Sequence, residues 1–176
     1  FYNDIKNEKL CDINTEFYLG DDILFAPVTG KDELKKEVYL PCGTWIDFWT
    51  KRFYEGDRNI MRSTPLLQKE GLPMFIRQGG GLTFQKDCTH LTDEIPDFLE
   101  IELYPDNFAK ITLNESENVT NEFSCEIKNG KIEITAQNNS DKLRVNKFSI
   151  FVNSKVYETE IAVDKNSAKK YELEIC

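Results

Sequence analysis

The sequence is short of the groups from which most reactive sites are built. It holds one histidine, His90, and five cysteines, Cys11, Cys42, Cys88, Cys125 and Cys176, with no Cys-x-x-Cys pair. Zinc sites and disulfide frameworks need closer or better matched spacing, so reduced thiols, no metal site and a cytoplasmic origin are expected. Cations are few: 22 Lys and Arg stand against 31 Asp and Glu, a net charge of -9. Nucleic acid is therefore excluded as an expected partner, because phosphate binding depends on clustered Lys and Arg. No uncharged apolar run approaches the roughly 18 residues of a membrane span. The N-terminus also lacks the basic-then-apolar pattern of a secretory signal, so no membrane partner is expected. Methionine occurs only as Met61 and Met74, and the first residue is Phe1. The chain is expected to be a segment of something longer.

What the sequence does have is apolar residues in alternation. Forty per cent of residues are hydrophobic and 12% aromatic, enough to bury a core. Leu99, Ile101 and Leu103 alternate with Glu100, Glu102 and Tyr104; Ile132 and Ile134 alternate with Lys131, Glu133 and Thr135. Tyr157, Thr159, Ile161 and Val163, and then Tyr171, Leu173 and Ile175, repeat the pattern. Period two is the mark of a strand with one buried and one wet face. Turn signals such as Pro41-Cys42-Gly43, Glu55-Gly56-Asp57 and Asn129-Gly130 interrupt the strands at short intervals. Asn129-Gly130 predicts a two-residue hairpin, since both residues accept the positive φ of a type I′ turn.

No helix-period stretch of useful length competes, and the expected fold is all-β, two tandem antiparallel β-sandwich domains. The polar stretch from Asp87 to Pro96 suggests a boundary. The expected organisation is a lead-in over residues 1–15, a proximal sandwich over 16–90 and a distal one over 97–176.

Two runs are more specific: Gly20-Asp21-Asp22-Ile23-Leu24-Phe25-Ala26-Pro27-Val28, and Val38-Tyr39-Leu40-Pro41-Cys42-Gly43-Thr44-Trp45-Ile46-Asp47-Phe48-Trp49. With Leu72-Pro73-Met74-Phe75-Ile76-Arg77-Gln78-Gly79 and Leu99-Glu100-Ile101-Glu102-Leu103-Tyr104-Pro105, they resemble the segment that follows the catalytic barrel in glycoside hydrolase family 31, the α-glucosidase and α-xylosidase family. The resemblance departs at Thr83, where proline is usual, and in the glycine run Gly79-Gly80-Gly81. It implies that residues 1–15 are the exit from a missing N-terminal catalytic barrel, this chain's partner within one protein. It also implies a parent enzyme that removes terminal α-linked glucose or xylose with retention and without a cofactor.

Retaining glycosidases work with two carboxyls about 5 to 5.5 Å apart. The resemblance places the family's nucleophile in an upstream Trp-x-Asp-Met-Asn-Glu motif. Trp45-Ile46-Asp47 copies its first three positions, but Phe48-Trp49-Thr50 follows. No catalytic residue is expected here, and the function expected is a non-catalytic fragment that braces the barrel.

Trp45, Asp47 and Trp49 would share one strand face, either packed against a neighbouring sheet or domain, the reading preferred, or open to stack on a sugar ring. A free-standing carbohydrate-binding module using Trp45 and Trp49 is the alternative, with carbohydrate as its partner. Arg77 is expected to pair with a carboxylate and tie the sandwich to the barrel. Asp21-Asp22 could hold a cation but more simply starts a strand. Gly79-Gly80-Gly81 lacks the Gly-Lys-Ser/Thr of a phosphate loop and reads as a close backbone approach or bulge. His90 is assigned no role.

Overall fold

The computed structural model describes residues 13–30, 33–64, 72–85 and 98–175. Most of the lead-in, the polar stretch around His90, and Cys11, Cys88 and Cys176 lie outside the described residues. Fifteen strands and no helix occur among the described residues. They fall into two compact units that divide the chain between Gln78 and Gly79.

The first unit holds β1 (Phe17–Leu19), β2 (Ile23–Phe25), β3 (Lys35–Leu40), β4 (Thr44–Asp47), β5 (Phe53–Glu55), β6 (Arg58–Ser63) and β7 (Met74–Arg77). Five of these form a sheet in the order β1-β2-β7-β4-β5, and β3 pairs with β6 in a second, two-stranded sheet. The core between them joins Leu24, Trp45 and Phe75 of the large sheet to Val38 and Leu40 of the small one. Every pairing in this unit is antiparallel.

The second unit holds β8 (Gly81–Gln85), β9 (Phe98–Leu103), β10 (Phe108–Ser116), β11 (Val119–Lys128), β12 (Lys131–Asn138), β13 (Arg144–Val152), β14 (Lys155–Val163) and β15 (Ser167–Glu174). Its sheets run β10-β11-β12-β15 and β14-β13-β9-β8. The alternating residues predicted to point inward, among them Ile101, Leu103, Ile132, Ile134, Ile161 and Val163, meet in one core with Phe123 and Phe148. Asn129-Gly130, at φ 50° and 75°, closes the β11–β12 hairpin as expected. Asn153-Ser154, at φ 49° and 66°, closes β13–β14 the same way without a glycine. One pairing, β9 with β13, is parallel. Parallel neighbours need a long crossover, supplied here by β10 to β12 in the facing sheet.

The division falls earlier than the polar stretch suggests. β8 stands in the second unit because it pairs with β9, Gly81 opposite Leu103 and Gln85 opposite Leu99. The glycine run makes this possible. A Cβ on Gly81 would sit 2.7 Å from the Glu102 carbonyl oxygen, so a close backbone approach does require glycine there.

Candidate functional site

The expected site residues cluster around β4, a strand buried on both sides. Trp45 is fully buried. Its indole N–H donates to the Pro41 carbonyl at 2.8 Å, and its ring lies 6.0 Å from that of Tyr18 in a stacked arrangement. The Arg77 guanidinium covers it at 4.8 Å from the ring centroid and donates through Nη2 to the Tyr18 hydroxyl at 2.9 Å. Register explains the assembly, since Arg77 on β7 is directly opposite Trp45 on β4. Trp45 is thus packed between its neighbours, with Tyr18 and Arg77 against its ring.

Asp47 is likewise fully buried. Its Oδ2 is 2.5 Å from Arg62 Nε on β6, and its Oδ1 accepts from the Trp49 and Thr50 backbone N–H groups at 3.0 and 2.8 Å. Arg62 in turn donates from Nη1 to the Ser63 carbonyl. One carboxylate thus joins the two sheets of the unit and organises the turn that ends β4. An ion pair sealed this way is costly to form and costlier to break.

Trp49 does not share the strand face expected for it, because β4 ends at Asp47 and the chain turns. It is half-buried in that turn. Its indole N–H donates to the Leu72 carbonyl at 2.8 Å, and its ring meets Phe48 edge-on at 4.8 Å. Asp21 and Asp22 sit in the β1–β2 turn beside Gly20 at φ 68°, and the Asp22 carbonyl accepts from Arg77 N–H. No group of three or more His, Cys, Asp and Glu able to hold a metal occurs among the described residues.

Sequence reasoning passed over Glu16. This side chain is 7% exposed, accepts the Tyr39 backbone N–H on Oε1 at 2.9 Å, and has no hydrogen-bond donor at Oε2. Burial pushes its carboxyl up to about 7, with the like charge of Glu37 adding to the rise; the Tyr39 N–H and Lys36 pull the other way. That is the range of a general acid, but burial against the β3 backbone closes it to a substrate. No periodicity or motif marks it in the sequence. Nearby, a concavity of about 380 Å³ is lined by Ile13, Tyr39, Asp57, Arg58 and Asn59. Within it the Tyr39 hydroxyl meets Asp57 at 2.8 Å, and Asn59 Nδ2 donates to Glu37 at 3.2 Å.

Taken together, the fold is an all-β sandwich region, and Trp45, Asp47, Trp49 and Arg77 each have partners within the first unit. A family model described as the glycosyl hydrolase family 31 C-terminal domain matches residues 1–80. The chain is 29% identical over 118 residues to an α-xylosidase of Saccharolobus solfataricus, covering 66% of this chain and 16% of that protein. It is 30% identical over 114 residues to α-glucosidase 2 of Bacillus thermoamyloliquefaciens, covering 64% and 14%. Among solved structures, a family 31 dextranase of Flavobacterium johnsoniae superposes with TM-score 0.71 at 20% identity, over 86% of this chain and 21% of that one. Residues 1–80 thus match the C-terminal domain of glycoside hydrolase family 31, and the similarity to these two enzymes extends over about two thirds of the chain. The chain spans only 14 to 16% of the length of these two curated relatives.

Proposed function

We propose that these sandwiches are the non-catalytic brace of an α-glycosidase. The parent would hydrolyse terminal α-linked glucose or xylose with retention, using aspartates on a barrel upstream of Phe1. The observation that carries this is Asp47: the one aspartate set in a sequence like the nucleophile motif is consumed by Arg62 and by two backbone N–H groups. Arg77 also has an internal purpose, covering the Trp45 ring and donating to the Tyr18 hydroxyl. The parent is proposed to be a cytoplasmic enzyme that needs no cofactor. The purified chain, free of host enzyme, should not turn over a nitrophenyl α-glucoside or α-xyloside. Measurable hydrolysis by the chain alone would overturn the proposal. Titration with maltose- and xylose-containing oligosaccharides checks the module alternative, for which saturable binding lost in Trp49→Ala is the required result.

A further inference from the structure

The five-stranded sheet of the first unit buries apolar side chains on both faces. Residues directly opposite on antiparallel strands project to the same side. Leu19 is opposite Ile23, Ile23 opposite Ile76, Ile76 opposite Ile46, and Ile46 opposite Phe53. One uncharged apolar row therefore crosses all five strands on the side away from Leu24 and Phe75. A second row runs Phe17, Phe25, Met74. The middle of the first row is sealed, Ile46 and Ile76 being fully buried. The β1 end is open, with Leu19 60% and Phe17 44% exposed.

β1 is also the edge of its sheet. Exposed apolar edges invite unwanted pairing, and proteins protect them with charge or cover them. Two edges of the second unit carry charge. Edge strand β14 carries Lys155, Glu158 and Glu160, and edge strand β15 carries Lys169, Lys170, Glu172 and Glu174. Phe17-Tyr18-Leu19 carries none. Edge strand β8 (Gly81–Gln85) carries none either, but β1 has the more exposed apolar side chains and is the first described strand met from the N-terminal side. The matched domain is the family's C-terminal one, and the chain accounts for 14 to 16% of its relatives' length, so the rest of the parent is to be sought on that side.

We propose that the β1 edge, through Phe17 and Leu19, is the seat on which the catalytic barrel of the parent enzyme rests, an apolar contact without ion pairs. This rests on the brace reading above. The test compares Phe17→Ser/Leu19→Ser with Met61→Ser, an equally apolar residue 62% exposed on β6 of the other sheet. In the full-length enzyme, limited proteolysis between barrel and sandwich follows the population of the undocked form. The double variant should be cleaved about tenfold faster and Met61→Ser at the wild-type rate. In the isolated chain the double variant should melt at the wild-type temperature and bind less hydrophobic dye.

Unchanged cleavage in an enzyme that has the barrel overturns the seat alone, and an upstream sequence without the Trp-x-Asp-Met-Asn-Glu motif overturns the brace reading with it. Loss of a full-length dimer with unchanged cleavage assigns β1 to a second copy and also overturns the seat. So does unfolding of the isolated double variant, which would make these side chains core.

Discussion

Replacing Asp47 with alanine separates a structural carboxylate from a reactive one. The side chain is fully buried and satisfies three donors, Arg62 Nε at 2.5 Å, Trp49 N at 3.0 Å and Thr50 N at 2.8 Å. Its removal leaves a guanidinium whose side chain is only 11% exposed facing the space the carboxylate held. Breaking a buried pair from one side costs about 3 to 5 kcal/mol. The lower end is expected, because Arg62 Nη1 keeps the Ser63 carbonyl and the N–H of exposed Thr50 can turn to water. Asp47→Ala should therefore destabilise the first unit by about 3 kcal/mol.

The assay is urea unfolding followed by tryptophan fluorescence, which reports on this unit alone because both tryptophans, Trp45 and Trp49, lie in it. In Asp47→Asn/Arg62→Met, which removes both charges, more than about 1 kcal/mol of the single-variant losses should be recovered through coupling. A fluorescence transition unmoved by Asp47→Ala would refute the reasoning. It would then be worth asking whether the full-length enzyme loses turnover instead.

Three further outcomes follow from single groups. Glu16 holds its proton more tightly when folded, up to about 7 against 4.5 for the ordinary carboxyl, so its contribution is complete below pH 4.5 and fades as the pH rises to about 7. The wild type should lose up to about 3 kcal/mol of first-unit stability over that window and Glu16→Gln far less, measured by urea midpoints at pH 5 and pH 8. Gly81→Ala drives a Cβ to within 2.7 Å of the Glu102 carbonyl oxygen and of Leu103 Cδ2. It should cost about 1 to 3 kcal/mol in the second unit, read by circular dichroism because that unit has no tryptophan. Burial pushes the Cys125 thiol up to about 12 while Cys42 is exposed, so a thiol reagent at pH 8 should label Cys42 in the native chain and reach Cys125 only after unfolding.

The strands were legible wherever one face is wet. Ile132 and Ile134 meet Phe123 in the core while Lys131 reaches Glu172 and Glu174 on the outer face, and the sequence carries that division as plain alternation. β13 hid because a bulge between Val145 and Lys147 brings Val145 and Phe148, three apart, to the same core. The first unit hid for the opposite reason. A sheet apolar on both faces has no period to read, and β4 was found through its family motif, not its pattern.

The same cause kept the partners of the β4 side chains out of sight. Trp45 and Asp47 stand out beside each other in sequence, whereas their chemistry is settled by Arg77 and Arg62, 32 and 15 residues further along. Only the pairing of β4 with β7 and the stacking of β6 over the sheet bring those guanidinium groups to the indole face and the carboxylate. A polar or aromatic cluster in a two-sided sheet therefore cannot be judged from its neighbours in sequence. What the fold adds is the partner from a distant strand, and here that partner is an arginine for the indole and for the carboxylate alike.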